Sequence, residues 1–254
     1  MEHTHLLSNT AVFMVILTLV FLLAGFVKGV VGLGLPTVAI GFLGLIMAPA
    51  EAAALLIIPS LVTNTWQLAA GPSFRQLIRR LWPMLLATFF GTLAGVALFT
   101  GAQTGIATAV LGAALIVYSA LGMAPLRLAV PARAEPILAP LIGASTGLVA
   151  AVTGMSAIPS VPYLQALELE KDDLVQALGL AFTVTTIALG IGLAYVGTFR
   201  LSVAGTSFIA LLPALGGMFI GQRVRARVSA AVFRRCFFIG MLALGAHLLL
   251  KTVL

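Results

Sequence analysis

The sequence predicts an all-α polytopic membrane protein made of two inverted repeats, each a broken or re-entrant helical hairpin followed by three transmembrane helices. Three observations predict it. The chain is 61% hydrophobic and 8% charged, with a mean hydropathy of +1.17, whereas soluble domains carry roughly 25% charged residues. Apolar stretches of roughly 17–25 residues, the length a helix needs to cross a bilayer, recur along the chain. At a constant offset of 122, Gly25, Val27, Gly32, Val62 and Thr63 fall in order on Gly147, Val149, Gly154, Val184 and Thr185, as a diverged duplication would leave them.

Ten apolar segments follow from the hydropathy pattern, at about 11–31, 33–48, 50–70, 78–100, 104–123, 136–154, 156–168, 173–196, 202–222 and 231–252. Counting the short ones as crossing or re-entrant gives about 8–10 membrane segments in a single transmembrane domain. The first is preceded by "MEHTHLLSNT", which lacks the basic region of a signal peptide, so 11–31 reads as a retained span. The second, 33–48, is short and follows the Gly-rich stretch "GFVKGVVGLGLP". The third carries Ser60, Thr63, Asn64 and Gln67 at i, i+3, i+4, i+7, a polar stripe on one helical face. The fourth holds the small pair Gly91/Gly95, and the fifth completes a first repeat over about 11–123.

Residues 124–135, "APLRLAVPARAE", form the seam. The second repeat, about 136–252, runs through 136–154, the short 156–168 after the break "VTGMSAIPSVP", then 173–196 with Thr183, Thr185 and Thr186, 202–222 with Gly217/Gly221, and 231–252. Glu51 and Asp173 occupy matching places before the third segment of each half, and Phe74-Arg75 recurs as Phe199-Arg200.

The net charge is +7, with the basic residues gathered between apolar segments and not interleaved with aromatics along a groove. That pattern argues against nucleic acid and for a report of membrane orientation. Placing Arg75, Arg79 and Arg80, then Arg127 and Arg133, then Arg223 to Arg235 on the cytoplasmic side closes only if the short segments turn back. The N-terminus is then outside, and the two repeats have opposite orientation. The single cysteine, Cys236, excludes an internal disulfide and a Cys-based metal site. His3 and His5 could touch a metal, but two histidines on a fraying end make no His cluster, so no metal and no cofactor is expected.

The breaks carry the chemistry. Gly29, Gly32, Gly34 and Pro36 interrupt the helix at membrane depth, where bare backbone is tolerated only against protein or a water-filled cavity. Free N–H groups at the start of a following helix make an anion site, and Lys28 adds positive charge beside it. A central lysine costs roughly 2.5–3.5 kcal/mol on insertion scales, so it should face a cavity or a partner. The bland alternative is that Lys28 snorkels to an interface and the glycines only let helices pack closely. The second break offers Thr153, Gly154 and Ser156. The predicted substrate site therefore comprises Lys28 for charge, Gly32, Gly34, Gly154, Thr153 and Ser156 for donors, and Thr63, Asn64, Thr185 and Thr186 along the path. The hydroxyl stripes have a second reading as interhelical glue.

An enzyme reading would rest on "GASTG" (143–147), a G-x-S-x-G pattern, with His247. That motif belongs on a strand-to-helix turn, and here it lies within a predicted span; no catalytic residues are assigned.

Over nearly its whole length the chain resembles the TauE/SafE family of sulfite exporter-like proteins. The resemblance rests on "GFVKGVVGLGLPT" with "AALLIIPSLVTNTWQL", "TGMSAIPSVPYLQAL" with "KDDLVQALGLAFTVTT", and "GGMFIGQRVRARVSAAVFRRCFFIGMLALG". It implies a multi-pass transporter of the bacterial cytoplasmic membrane, moving small sulfur-containing anions such as sulfite, sulfoacetate or other organosulfonates, with export the expected direction. The partners expected are the anionic substrate and the lipid bilayer; the oligomeric state is left open. The alternative from another class is a non-transporting membrane scaffold or assembly factor.

Overall fold

A computed structural model of the chain describes residues 10–99, 104–124, 129–225, 227 and 229–253. His3, His5 and Arg127 lie outside the described residues. Among the described residues ten helices follow in order: α1 (Thr10–Val31), α2 (Leu35–Leu43), α3 (Pro49–Ala69), α4 (Phe74–Phe99), α5 (Thr104–Met123), α6 (Glu135–Thr153), α7 (Ser160–Ala166), α8 (Lys171–Tyr195), α9 (Leu201–Arg225) and α10 (Ala230–Val253). Eight of them are long and apolar enough to cross a membrane. The other two are α2 and α7, with 9 and 7 residues. At about 1.5 Å per residue they cannot span hydrocarbon, and each ends a hairpin whose bend is a Gly-rich break.

Four segments differ from the hydropathy reading. Helix α4 begins at Phe74, so Arg75, Arg79 and Arg80 stand on its first turns and not in a loop. The cause is amphipathicity: Leu77, Leu81 and Met84 are buried on one side while the arginines remain exposed on the other. Helix α9 likewise runs through Arg223 to Arg225, with the Arg223 guanidinium 3.6 Å from the centre of the Phe219 ring. The segments read at 33–48 and 156–168 are helical only over α2 and α7, each flanked by turns.

Two helices form the interior. In the spans of α3 and α8, 61% and 72% of residues are buried, against 22–33% in the other six. These two pack antiparallel: a Cβ on Gly179 would meet Leu68, Gln67 and Asn64, whereas one on Gly190 would meet Ile57. Helices α5 and α10 are also antiparallel, Gly112 facing Gly245 to Leu249 and Gly122 facing Phe238. The most extensive contacts are instead parallel and join opposite halves, α4 with α6 and α1 with α9. Gly25 and Gly29 lie against the Ala214 and Met218 carbonyls, and Gly217 and Gly221 return the contact at Leu22 and Phe26. The second seam is built alike, from Gly91 and Gly95 against Ala144 to Ala151, and from Gly143 and Gly147 against Met84 to Thr92. Small residues let backbones approach where lipid offers no hydrophobic drive between helices. The glycines of "GASTG" thus serve helix packing, and the Ser145 hydroxyl donates to the Leu141 carbonyl at 2.8 Å.

Side chains close the remaining backbone accounts. Pro59 inside α3 has no N–H to give the Leu55 carbonyl; Ser207 of α9 supplies the donor at 2.8 Å. Gln176 at the start of α8 donates to Leu68 and Gly71 and accepts from Ser73, tying α8 to the α3–α4 turn. Glu51 is exposed on the first turn of α3 and accepts the Ala48 N–H at 3.2 Å, half of a capping box. Among the described residues the ion pair is Arg80–Glu135, joining the starts of α4 and α6.

Candidate functional site

Lys28 ends up where its sequence context is least able to hydrate it. It lies on the last turn of α1 and is only 3% exposed, so it does not snorkel. Its Nζ donates to Thr63 Oγ1 at 3.1 Å and to Asn64 Oδ1 at 2.5 Å, both fully buried on α3. The same stripe continues to Gln67, whose Nε2 donates to the Gly32 carbonyl at 2.5 Å. Spacing of i, i+3, i+4, i+7 on one helix therefore becomes a zipper along the end of α1. It leaves three orphans, since Ser60 Oγ, Asn64 Nδ2 and Gln67 Oε1 are buried without a hydrogen-bond partner.

The first break is a left-handed kink. Gly32 has φ +86° and Gly34 φ +103°, values that favour glycine. A Cβ on Gly32 would meet nothing within 4 Å, so only its backbone conformation demands glycine there. Gly34 caps α2, and Pro36 sits in its first turn where a missing N–H is harmless. The second break mirrors it at Gly154, φ +74°, where a Cβ would also strike Ile40 of α2 at 2.5 Å and Ala53 of α3 at 2.8 Å. Thr153 shapes this turn, donating to the Val149 carbonyl and accepting the Met155 N–H.

The two breaks meet. A void of about 10 Å³ is walled by Gly34, Pro36 and Thr37 from the first and by Ser156 and Ala157 from the second, with Phe182 of α8 closing one side. Next to it opens a cavity of about 750 Å³ that reaches inward to Gly32 and Leu33. Its outer part carries Glu168, Lys171, Arg225 and Arg234, three cations to one carboxylate. Lys28 is on the wall of neither space; it stands one turn behind Gly32.

The expected residues thus separate into groups. Lys28, Thr63 and Asn64 form one hydrogen-bonded cluster, Gly34 and Ser156 share the void, Gly32 borders the cavity, and Thr153 and Gly154 support the second break. Thr185 and Thr186 are buried on α8, but their hydroxyls donate to the Ala181 and Phe182 carbonyls of the same helix. In this conformation they offer lone pairs, not protons.

Sequence reasoning passed over Tyr118 and the cavity mouth. A tyrosine close to the end of an apolar segment reads as an interfacial anchor, yet Tyr118 is 3% exposed and packed against Phe237 and Phe238 at 5.2–6.4 Å between ring centres. The mouth charges come from three separated stretches, and no single stretch betrays their convergence.

No curated protein and no solved structure matches the chain. The family model described as sulfite exporter TauE/SafE matches residues 17–248. Eight membrane-length helices agree with that match, and the chain belongs to the TauE/SafE family of multi-pass membrane transporters.

Proposed function

We propose that the protein exports small sulfur-containing anions, with sulfite, sulfoacetate and related organosulfonates as the substrate class, across a bacterial cytoplasmic membrane. The observation that carries this reading is the 750 Å³ cavity, cationic at its mouth and ending at the Gly32–Leu33 break. A cleft lined by one sign of charge concentrates ions of the other, and three cations against one carboxylate select anions. Beyond the break lies an ammonium with only neutral oxygens for partners, Lys28 on Thr63 and Asn64. Buried ions ordinarily need a counter-charge, and an oxyanion passing the breaks would provide one. The unpartnered Asn64 Nδ2 and the void-facing Ser156 add neutral donors.

Two inverted repeats are the arrangement we infer for the fold. The matching helices α3 and α8, and α5 and α10, run antiparallel, while the cross-half pairs run parallel. A two-fold axis in the membrane plane generates that pattern. With the basic helix ends cytoplasmic, the cavity opens inward. Export of a monoanion from a negative interior then needs no coupling ion, because about 2.3 kcal/mol per 100 mV drives it.

Purified protein in liposomes tests the reading directly. Sulfite, thiosulfate and sulfoacetate are loaded and their release followed under an imposed potential. Flux of at least one, accelerated by a potential negative on the loaded side, is the expected result. Monodisperse, reconstituted protein that passes none of the three would favour a scaffold in its place.

A further inference from the structure

We propose that Tyr118 and Leu33 form the inner gate of the transport path, and that the Tyr118 hydroxyl is the donor that meets the anion as it passes. The proposal rests on the transport reading above for its substrate, but not for its geometry. Tyr118 and Leu33 are the two residues that border both the 750 Å³ cavity and the 10 Å³ void. They are therefore the partition between a space large enough for a sulfonate and one with room for about a single water. Tyr118 Oη is buried and makes no hydrogen bond. A buried hydroxyl ordinarily finds a partner, and this one lies beside a space that an oxyanion would have to cross.

The ring is held firmly enough to act as a partition. Phe238 packs edge-on against it at 5.2 Å and Phe237 at 6.4 Å. Phe237 also rests on the first break, since a Cβ at Gly34 would lie 3.4 Å from its Cζ. Gly122, one turn beyond Tyr118 on α5, leaves the room that the Phe238 ring occupies. Movement of α10 against α5 would thus shift ring and break together. Leu33, between the two positive-φ glycines, is on the segment whose backbone such a movement would turn.

The test separates gate from substrate. In a Cys236→Ser background, Ser156→Cys places a thiol in the void, and a membrane-impermeant methanethiosulfonate is applied from the cavity side. Labelling should be slow with the tyrosine present and at least 10-fold faster when Tyr118→Ala is added. Tyr118→Phe keeps the ring and should label as slowly as the parent, with an unchanged or raised thermal midpoint because an unpartnered hydroxyl is lost. Its sulfite flux should nevertheless fall about 10-fold, through a raised KM. Equal labelling rates with and without Tyr118→Ala would overturn the gate, and undiminished sulfite flux in Tyr118→Phe would overturn the donor. Should the parent pass none of sulfite, thiosulfate and sulfoacetate, the substrate reading fails while the labelling rates still decide the gate.

Discussion

Gln67 holds the Gly32 carbonyl from 35 positions away in sequence, its Nε2 2.5 Å from the oxygen. That carbonyl is at the point where α1 stops being a helix, so nothing on its own helix is placed to satisfy it. The side chain of α3 therefore fixes the bend of the first hairpin.

Gln67→Leu keeps the volume and removes the donor. The Gly32 carbonyl is then left unsatisfied near the membrane interior, at a cost of about 1–3 kcal/mol. A lower thermal midpoint in detergent, with flux lost more steeply than stability, is the expected outcome. An unchanged midpoint would mean that water reaches the carbonyl and the glutamine is dispensable.

Lys28→Met removes the buried ammonium but leaves Asn64 Oδ1 and Thr63 without their donor. Loss of a costly buried charge and loss of two hydrogen bonds oppose each other at about the same few kcal/mol, so the thermal midpoint should move little. Sulfite flux should fall by more than 10-fold. Lys28→Arg retains the charge but puts a planar fork where a compact ammonium fits; partial flux with altered preference between sulfite and sulfoacetate is expected. Wild-type flux in well-folded Lys28→Met would remove the lysine from the path.

The two kinked glycines should respond differently to alanine. At Gly32 only the positive φ resists, so Gly32→Ala should cost roughly 1–3 kcal/mol. At Gly154 the same strain is joined by collision with Ile40 and Ala53, and overpacking adds about 1–3 kcal/mol. Thermal unfolding of the two variants side by side checks the order, Gly154→Ala being the less stable.

Opposite orientation of the repeats predicts the sidedness of two exposed serines. In the Cys236→Ser background, Ser202→Cys at the start of α9 should label only from outside the cell. Ser229→Cys, before α10, should label only from the cytoplasm. Gln76→Cys, the counterpart of Ser202 at the start of α4, should label only from the cytoplasm, and labelling of Gln76→Cys and Ser202→Cys from one side would end the two-fold arrangement.

The bilayer-scale features were legible because hydrocarbon imposes length and polarity with little room for exception. Ten apolar segments, two of them short, could be read from hydropathy, and both breaks from the placement of glycine and proline. The polar stripe was legible too, since i, i+3, i+4, i+7 spacing puts Ser60, Thr63, Asn64 and Gln67 on one face wherever the helix packs. Its partner was half visible: Lys28 announced a need for company, and Thr63 and Asn64 meet it. Hydropathy starts α4 too late, because the charges of Arg75 to Arg80 lower the window average while an amphipathic first turn tolerates them. The void and cavity were not legible. They depend on how two hairpins from separate halves are set against each other, and Tyr118 borders both only because α10 presses Phe237 and Phe238 upon it. The threonines of α8 show the same limit from the other side, for a hydroxyl in a helix can satisfy itself on its own backbone.

The parallel glycine seams bear on how the chain is made. Helix α1 has its most intimate neighbour in α9, and α4 has its own in α6. While α1 is already in the bilayer, α9 has still to leave the ribosome. Translation at roughly 5–20 residues per second makes that interval on the order of ten seconds or more. Throughout it, the small-residue face of α1 has only the helices made before α9 and the insertion machinery for shelter. A newborn first half is thus an unfinished surface, and the two halves expressed as separate polypeptides would each carry the complement that the other lacks.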